Sequence, residues 1–419
     1  MSHSSSKRNW TAVTLVVAAV ASSSACAVES SSAPRGASEI TLPGPDRVQA
    51  DAFGTPTTDG NVALANLNGQ IESQRQLVAR FADNVDFMAG LVGLLMTRTQ
   101  FSGSYDDFAE ALDVSQRALS LKPGAATHAL RASVLSGLHR FDEAVLELDK
   151  AEASGADVTR ARETIDLARG HDLAGVLAAR ASRAAALPSY DNLVALAGAR
   201  AAVGQYDAAD QDFVAALAAY DDVSPMPVAW VAFQRGVMWA EQAARPDLAK
   251  PLYEEAVRRL PGYVVANVHL SELEVATGDK AGAMSRLDRV RVTTVDPEPT
   301  GYLAELLSAT DPNLAQLHAS DARKRYDALL DHYPQAFADH GSEFFSGPAG
   351  ADPERGLSLA LSNLALRPTD RAYLVAIDAA TAAKQPALAC QLVAEAGPER
   401  PNVVLQLARQ KLQASHCKP

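Results

Sequence analysis

Cysteine is scarce in this chain of 419 residues: three, at positions 26, 390 and 417. That leaves no Cys-x-x-Cys pair and excludes a disulfide-framed fold or a cysteine-rich zinc site. Aromatic residues make up only 6% while apolar residues reach 47%. A core must then be built from Ala, Leu and Val, which suits closely packed helices better than a sandwich of sheets. Positive charge is also short, 38 Lys and Arg against 50 Asp and Glu, a net −12. An acidic body repels phosphate backbones, so no nucleic-acid partner is expected. No apolar run is long enough to cross a bilayer as a helix. The sequence has no His-Glu-x-x-His, no Gly-x-Ser-x-Gly elbow, no P-loop and no Gly-x-Gly-x-x-Gly. Carboxylates abound, but no spacing singles out a catalytic pair. No catalytic residue and no cofactor is assigned, and the chain reads as a non-enzyme.

What is present begins with a leader, residues 1–27. Lys7 and Arg8 form a basic start, and Thr11 to Ala21 is an apolar stretch, the layout of a secretory signal peptide. Its loss would take the net charge from −12 to −14. Two cleavage readings stand side by side. Ala25-Cys26-Ala27 fits ordinary signal peptidase, whereas Ser23-Ser24-Ala25-Cys26 resembles a bacterial lipobox. In the second reading Cys26 becomes a lipid-bearing N-terminus, although Ser23 stands where that motif usually carries Leu, Val or Ile. Both put the mature chain outside the cytoplasm, either lipid-anchored in the bacterial envelope or secreted or periplasmic. Residues 28–61 are rich in Ser, Pro, Gly, Thr and Ala without a period. They read as a flexible linker with a reach on the order of 30 Å.

From about Val62 to the end, residues 62–419, the pattern is helical and repeats about every 34 residues. The repeat shows in Gly204-x-Tyr206-x-x-Ala209-x-x-x-Phe213-x-x-Ala216, then in Ala249-x-x-x-Tyr253-x-x-Ala256-x-x-x-x-Pro261. It returns in Gly278…Ala283-x-x-x-Leu287 and in Ala322-x-x-x-Tyr326-x-x-Leu329-x-x-x-x-Pro334. A small residue, a large one four later and a third residue three beyond that form one helix face, with a proline as the stop signal. Two longer intervals point to insertions at Asp221–Pro227 and around Val292–Pro299. In the weaker third and eighth units Gly175 and Gly356 take the small position. This pattern resembles the tetratricopeptide repeat over roughly residues 87–396. The resemblance implies an all-α solenoid of about nine helix pairs in a right-handed superhelix, its concave groove lined by the first helices. A single closing helix is expected over 402–412. Level with Cys390 on the preceding helix should be a residue near 406. Cys417 lies well past it, so the register favours a buried thiol at 390 and a free one at 417.

The stretch Asp221 to Glu241 holds both tryptophans of the mature chain, Trp230 and Trp239, near the middle of the array. In repeat register Gln234 and Glu241, seven apart, fall on the groove side of one helix. His269-x-x-Glu272 follows in the next unit and Asp339-His340-x-x-Glu343 in the eighth. A His/Glu pair three apart shares a helix face, but without further ligands nearby no metal is assigned. The partner-binding candidates are Gln234, Glu241, Glu272, Trp239 and His269. The expected function is an extracytoplasmic scaffold that holds a protein or peptide segment, basic or amphipathic, in its groove. The alternatives are a small-molecule or metal-binding periplasmic protein and a convex-face structural component of an envelope assembly. If Cys26 carries lipid, the full-length chain should sediment with membranes, and Cys26→Ser should move it to the soluble fraction.

Overall fold

The computed structural model describes residues 54–415 and Cys417. The leader, Cys26 and the linker up to residue 53 lie outside the described residues. Among those described there is no strand, only a succession of helices. A leading helix α1 (Gly60–Arg80) precedes nine hairpins, which run in chain order. The first four are α2 (Val85–Ser102) with α3 (Asp107–Leu121), α4 (Ala125–Gly137) with α5 (Phe141–Ala153), α6 (Thr159–Arg169) with α7 (Leu173–Ala186), and α8 (Tyr190–Ala202) with α9 (Tyr206–Ala218). The fifth and sixth are α10 (Pro225–Val237) with α11 (Pro246–Arg259), and α12 (Val264–Ala276) with α13 (Lys280–Arg291). The last three are α14 (Glu298–Leu307) with α15 (Pro312–His332), α16 (Pro334–Ser346) with α17 (Pro353–Leu366), and α18 (Asp370–Ala382) with α19 (Pro386–Ala396). The closing helix α20, expected to end at 412, runs over Val403–Ser415.

The repeat residues do what their sizes require. Ala111, Ala144, Ala209, Ala249, Ala283, Ala322 and Ala389 of the second helices are all fully buried. A methyl at each lets the first helix of the same unit approach closely, and the large residue four later fills the space beside it: Leu148, Phe213, Tyr253, Leu287 and Tyr326 are buried too. In the eighth unit Gly356 takes this role, since a Cβ there would lie 2.2 Å from Ser346 Oγ and 2.8 Å from Ser346 N. Gly175 does not. It is exposed in the first turn of α7, where its N–H meets the capping carboxylate of Asp172 at 3.2 Å. Val176 and Ala184 bury that face instead. Prolines open six helices: Pro225, Pro246, Pro312, Pro334, Pro353 and Pro386 stand in their first turns, where the missing N–H costs nothing.

The array winds tightly enough for successive turns to touch. Tyr105, in the first unit, donates its hydroxyl to Asp296 Oδ2 at 2.8 Å, just ahead of the seventh unit. Its ring also meets Phe337 edge-on at 4.8 Å. His139 of the second unit lies 3.2 Å from the carbonyl of Gln335 in the eighth. Gly170 of the third unit packs on Thr369 at the start of the ninth. Gly204 of the fourth packs on Pro401 ahead of α20, and Tyr206 donates to the Pro401 carbonyl at 3.0 Å. Each of these units therefore meets the element six places further on.

Both ends of the array are fastened. The stretch 54–59, within the segment expected to be flexible, is docked: Thr58 N donates to the Val223 carbonyl at 2.8 Å, and Arg259 reaches Thr57 Oγ1 at 2.9 Å. Gly60 follows against the Arg259 carbonyl, where a Cβ would sit 2.2 Å away. Residues 57–60, expected within the linker, are thus packed against the fifth unit and the loop that leads into it. At the other end Cys390 and Cys417 form a disulfide, with Cα atoms 5.4 Å apart. This corrects the expectation of free thiols. After α20 the chain turns back, with Cys417 N donating to the Leu412 carbonyl at 3.0 Å, and the return brings the sulfur to α19. The bridge closes a loop of 27 residues. Cys417→Ser should lower unfolding stability by about 3 kcal/mol in a denaturant titration, with the wild type under reductant falling to the same value.

Candidate acidic crevice on the concave face

The tight winding decides what becomes of the concave face. First-helix residues of units five to nine, which would be spread along an open groove, meet one another. The geometry starts at the end of α10. Met238–Gln242 form a π-turn, so the helix widens just before its end. Gln234 remains part-buried on α10. The wider turn carries Glu241 off the line that seven α-helical residues would set. Glu241 Oε1 comes to 3.1 Å from His269 Nδ1, and its Oε2 lies 3.9 Å from Arg371 Nη1 of α18. Trp239 points the other way: its indole N–H donates to Asp210 Oδ1 at 3.1 Å. Arg235 grips the same carboxylate with two bonds of 2.7 and 2.9 Å. Arg235 is 1% exposed and Asp210 5%, so this pair fastens α10 to α9 within the core.

His269 is 1% exposed and is held by the rings of Phe233 and Tyr253 and by the Tyr253 hydroxyl at 3.1 Å. One turn further along α12, Glu272 lines a cavity with room for water of about 30 Å³. Glu298, Tyr302 and Glu305 of α14, Tyr326 of α15, and His340 and Glu343 of α16 share its wall. The Asp339-His340-x-x-Glu343 group splits three ways. Asp339 pairs with Arg367, His340 Nδ1 stands 3.8 Å from Glu298 Oε2, and Glu343 meets Arg371 at 3.0 Å through both oxygens. Of the residues singled out from the sequence, Glu241, His269 and Glu272 thus come together, while Gln234 lies two turns earlier and Trp239 faces the fourth unit. Glu298, Glu305, Glu343 and Arg371 were not among the candidates. Their convergence depends on winding over four units, and no local spacing reports it. Among the described residues no three His, Cys, Asp or Glu side chains converge as metal ligands do.

Burial sets the charge state. It pushes Glu272 up to about 7, with His269 opposing, and Glu343 up to about 8, against the pull of Arg371. Glu298 is raised well above the usual carboxylate range by burial and then by Asp296. Burial lowers His269 and His340 to about 4, so both rings are neutral at neutral pH. For Asp339 burial is the largest single influence and opposes ionisation, but Arg367, His340 and Arg371 together outweigh it and hold the carboxyl below its ordinary range.

The register of fully buried alanines and the pairing of consecutive helices decide the fold type. The chain is a tetratricopeptide-like array. No family model matches the sequence, and no curated protein does. Among solved structures, the P58(IPK) TPR domain is similar at 15% identity over 85% of this chain and 95% of that one, with a TM-score of 0.27. Yeast Tom70 is similar at 13% identity, over 88% and 96%, with a TM-score of 0.31. The Cut9–Hcn1 hetero-tetramer is similar at 13%, over 79% and 56%, with a TM-score of 0.38. Likeness this distant says nothing about partner or activity, and the repeat assignment rests on the chain's own register.

The raised carboxyls have a consequence for stability. An unfolded Glu titrates near its ordinary 4.5, whereas folded Glu272 and Glu343 keep their protons to about 7 and about 8. Their contribution is full below pH 4.5 and is lost as pH rises through 7 to 8. Asp378, raised by burial to about 7, adds the same slope. The buried neutral histidines act oppositely, losing stability only as pH falls below their ordinary 6.5 towards about 4. The melting temperature should therefore fall above pH ~6.5, and Glu343→Gln should flatten that fall.

Proposed function

We propose that this protein is an extracytoplasmic scaffold that holds a protein or peptide partner on its concave face. The observation that carries this reading is the convergence of Glu241, Glu272, Glu298, Glu305 and Glu343 from the π-turn and the three first helices that follow it, with Arg371 as the nearby guanidinium. A concave face so rich in carboxyl groups, which ionise when a cation lies beside them, favours a basic or amphipathic segment. Part-buried Gln234 extends the contact surface along α10. The leader and Cys26 support a site of action outside the cytoplasm. The Cys390–Cys417 disulfide is in keeping with it, since such bridges persist in oxidising compartments.

A second reading, a binder of a small molecule in the same place, is favoured by the cavity among Glu272, Glu298 and His340. The two are separated by capture from native envelopes. The tagged mature chain should retain a partner that a Gln234→Ala/Glu241→Gln version loses. Glutamine is the better choice at 241 because it keeps the volume beside Arg371 filled. Equal capture by both versions, with matching circular dichroism, would reject this contact surface.

A further inference from the structure

The crevice has features that narrow its ligand beyond acidity. His340 is 7% exposed, yet its Nε2 has no hydrogen-bond partner. Glu298 Oε2, 3.8 Å from His340 Nδ1, has none either. Both residues line the cavity together with Glu272. A neutral imidazole whose Nδ1–H faces Glu298 presents a lone pair at Nε2. Burial keeps Glu298 protonated while the crevice is empty, and it becomes a charged acceptor only when a cation beside it holds the negative charge. Tyr326 and Phe344 supply aromatic surface in the same cavity, which attracts a cation rather than an anion.

We propose that this crevice is a receptor for one primary ammonium group, carried by a lysine side chain of the partner segment. The proposal rests on the scaffold reading only for the source of the ammonium. Size and geometry select the group. The cavity's volume of about 30 Å³ corresponds to roughly two waters, which suits an ammonium head better than a planar guanidinium with five donors. Two N–H donors of the head match Glu298 Oε2 and His340 Nε2, the two unpartnered atoms, with Glu272 on the same wall. A divalent ion would need several ligands at about 2.0 to 2.6 Å, and the described residues offer no such set. The crevice also has a way in. The side chains of Glu298 and Glu343 keep 16% and 21% of their exposure, leaving a path by which an alkyl stem reaches solvent.

The test uses the folded mature chain and n-butylammonium, with n-butanol as the neutral isostere. n-Butylammonium should raise the melting temperature progressively with concentration, while n-butanol should not. A capped Gly-Lys-Gly peptide should act likewise and its norleucine counterpart should not. Glu298→Gln should weaken both ligands by at least about tenfold, as loss of a charged hydrogen-bond acceptor does. Should that variant fold poorly, titration of the wild type followed by the ¹⁵N resonances of His340 gives the same answer, because Nε2 must shift on binding. No response to n-butylammonium by either method overturns the proposal. So does an equal response to magnesium, or peptide binding that survives Glu298→Gln. A response to n-butylammonium without one to the lysine peptide keeps the ammonium site and overturns the lysine source. Ammonium binding together with unchanged partner capture by the Gln234/Glu241 variant would leave the crevice standing and reject the scaffold surface.

Discussion

Everything in this structure depends on how closely paired helices can approach at the small residue of each second helix. Alanine stands there in seven of the nine units and glycine in the eighth unit, so most steps of the array can be similarly close. Similar steps accumulate into a regular winding, and the winding returns each unit to the one six places on. A larger side chain at any of these positions would tilt every later unit, because the error propagates along the array. The contacts between turns, such as Tyr105 with Asp296 and Gly204 with Pro401, are then the sum of many small local constraints. They also feed back. Asp296 buried beneath Tyr105, or Pro401 against a glycine at φ +78°, tolerates little displacement.

The charged interior follows from the same winding. Residues that a wider superhelix would leave in water are brought against one another, and the acids among them lose hydration without gaining enough cations. Arg371 is shared by Glu343 and Glu241, and the histidines are neutral. The remaining carboxyls keep their protons instead. Where pairs are complete, as with Arg235 and Asp210 or Arg367 and Asp339, they fasten neighbouring helices. Breaking such a pair costs more than forming it gains, so it specifies an arrangement rather than adding much stability. The crevice differs because its carboxyl groups outnumber the cations beside them.

The fold was largely legible in the sequence because its signals are local. The face Ala249, Tyr253, Ala256 and the stop at Pro261 can be read within one helix, and they describe it correctly. Unit three went astray at Gly175 because a capping aspartate three residues earlier can use a glycine as well as a helix crossing can. The partners of Glu241 were beyond reach for two physical reasons. A π-turn shifts the register of the side chains that follow it, and no residue pattern announced one. Arg371 stands 130 positions later in the chain and arrives only through the accumulated rotation of the intervening units. The Cys390–Cys417 bridge was missed for a similar reason, since helix levels say nothing about a tail that turns back after its last helix.

The contact between turns bears on how such a chain can change over time. An open array of hairpins can gain or lose a unit in its middle and merely become longer or shorter. Here the removal of one hairpin between the fourth unit and the eighth would rotate Gln335 away from His139 and Pro401 away from Gly204. The number of units is therefore fixed as firmly as any single residue. Variation should collect in the lengths of the loops, as at 221–227 and 292–299, where extra residues leave the count of steps unchanged.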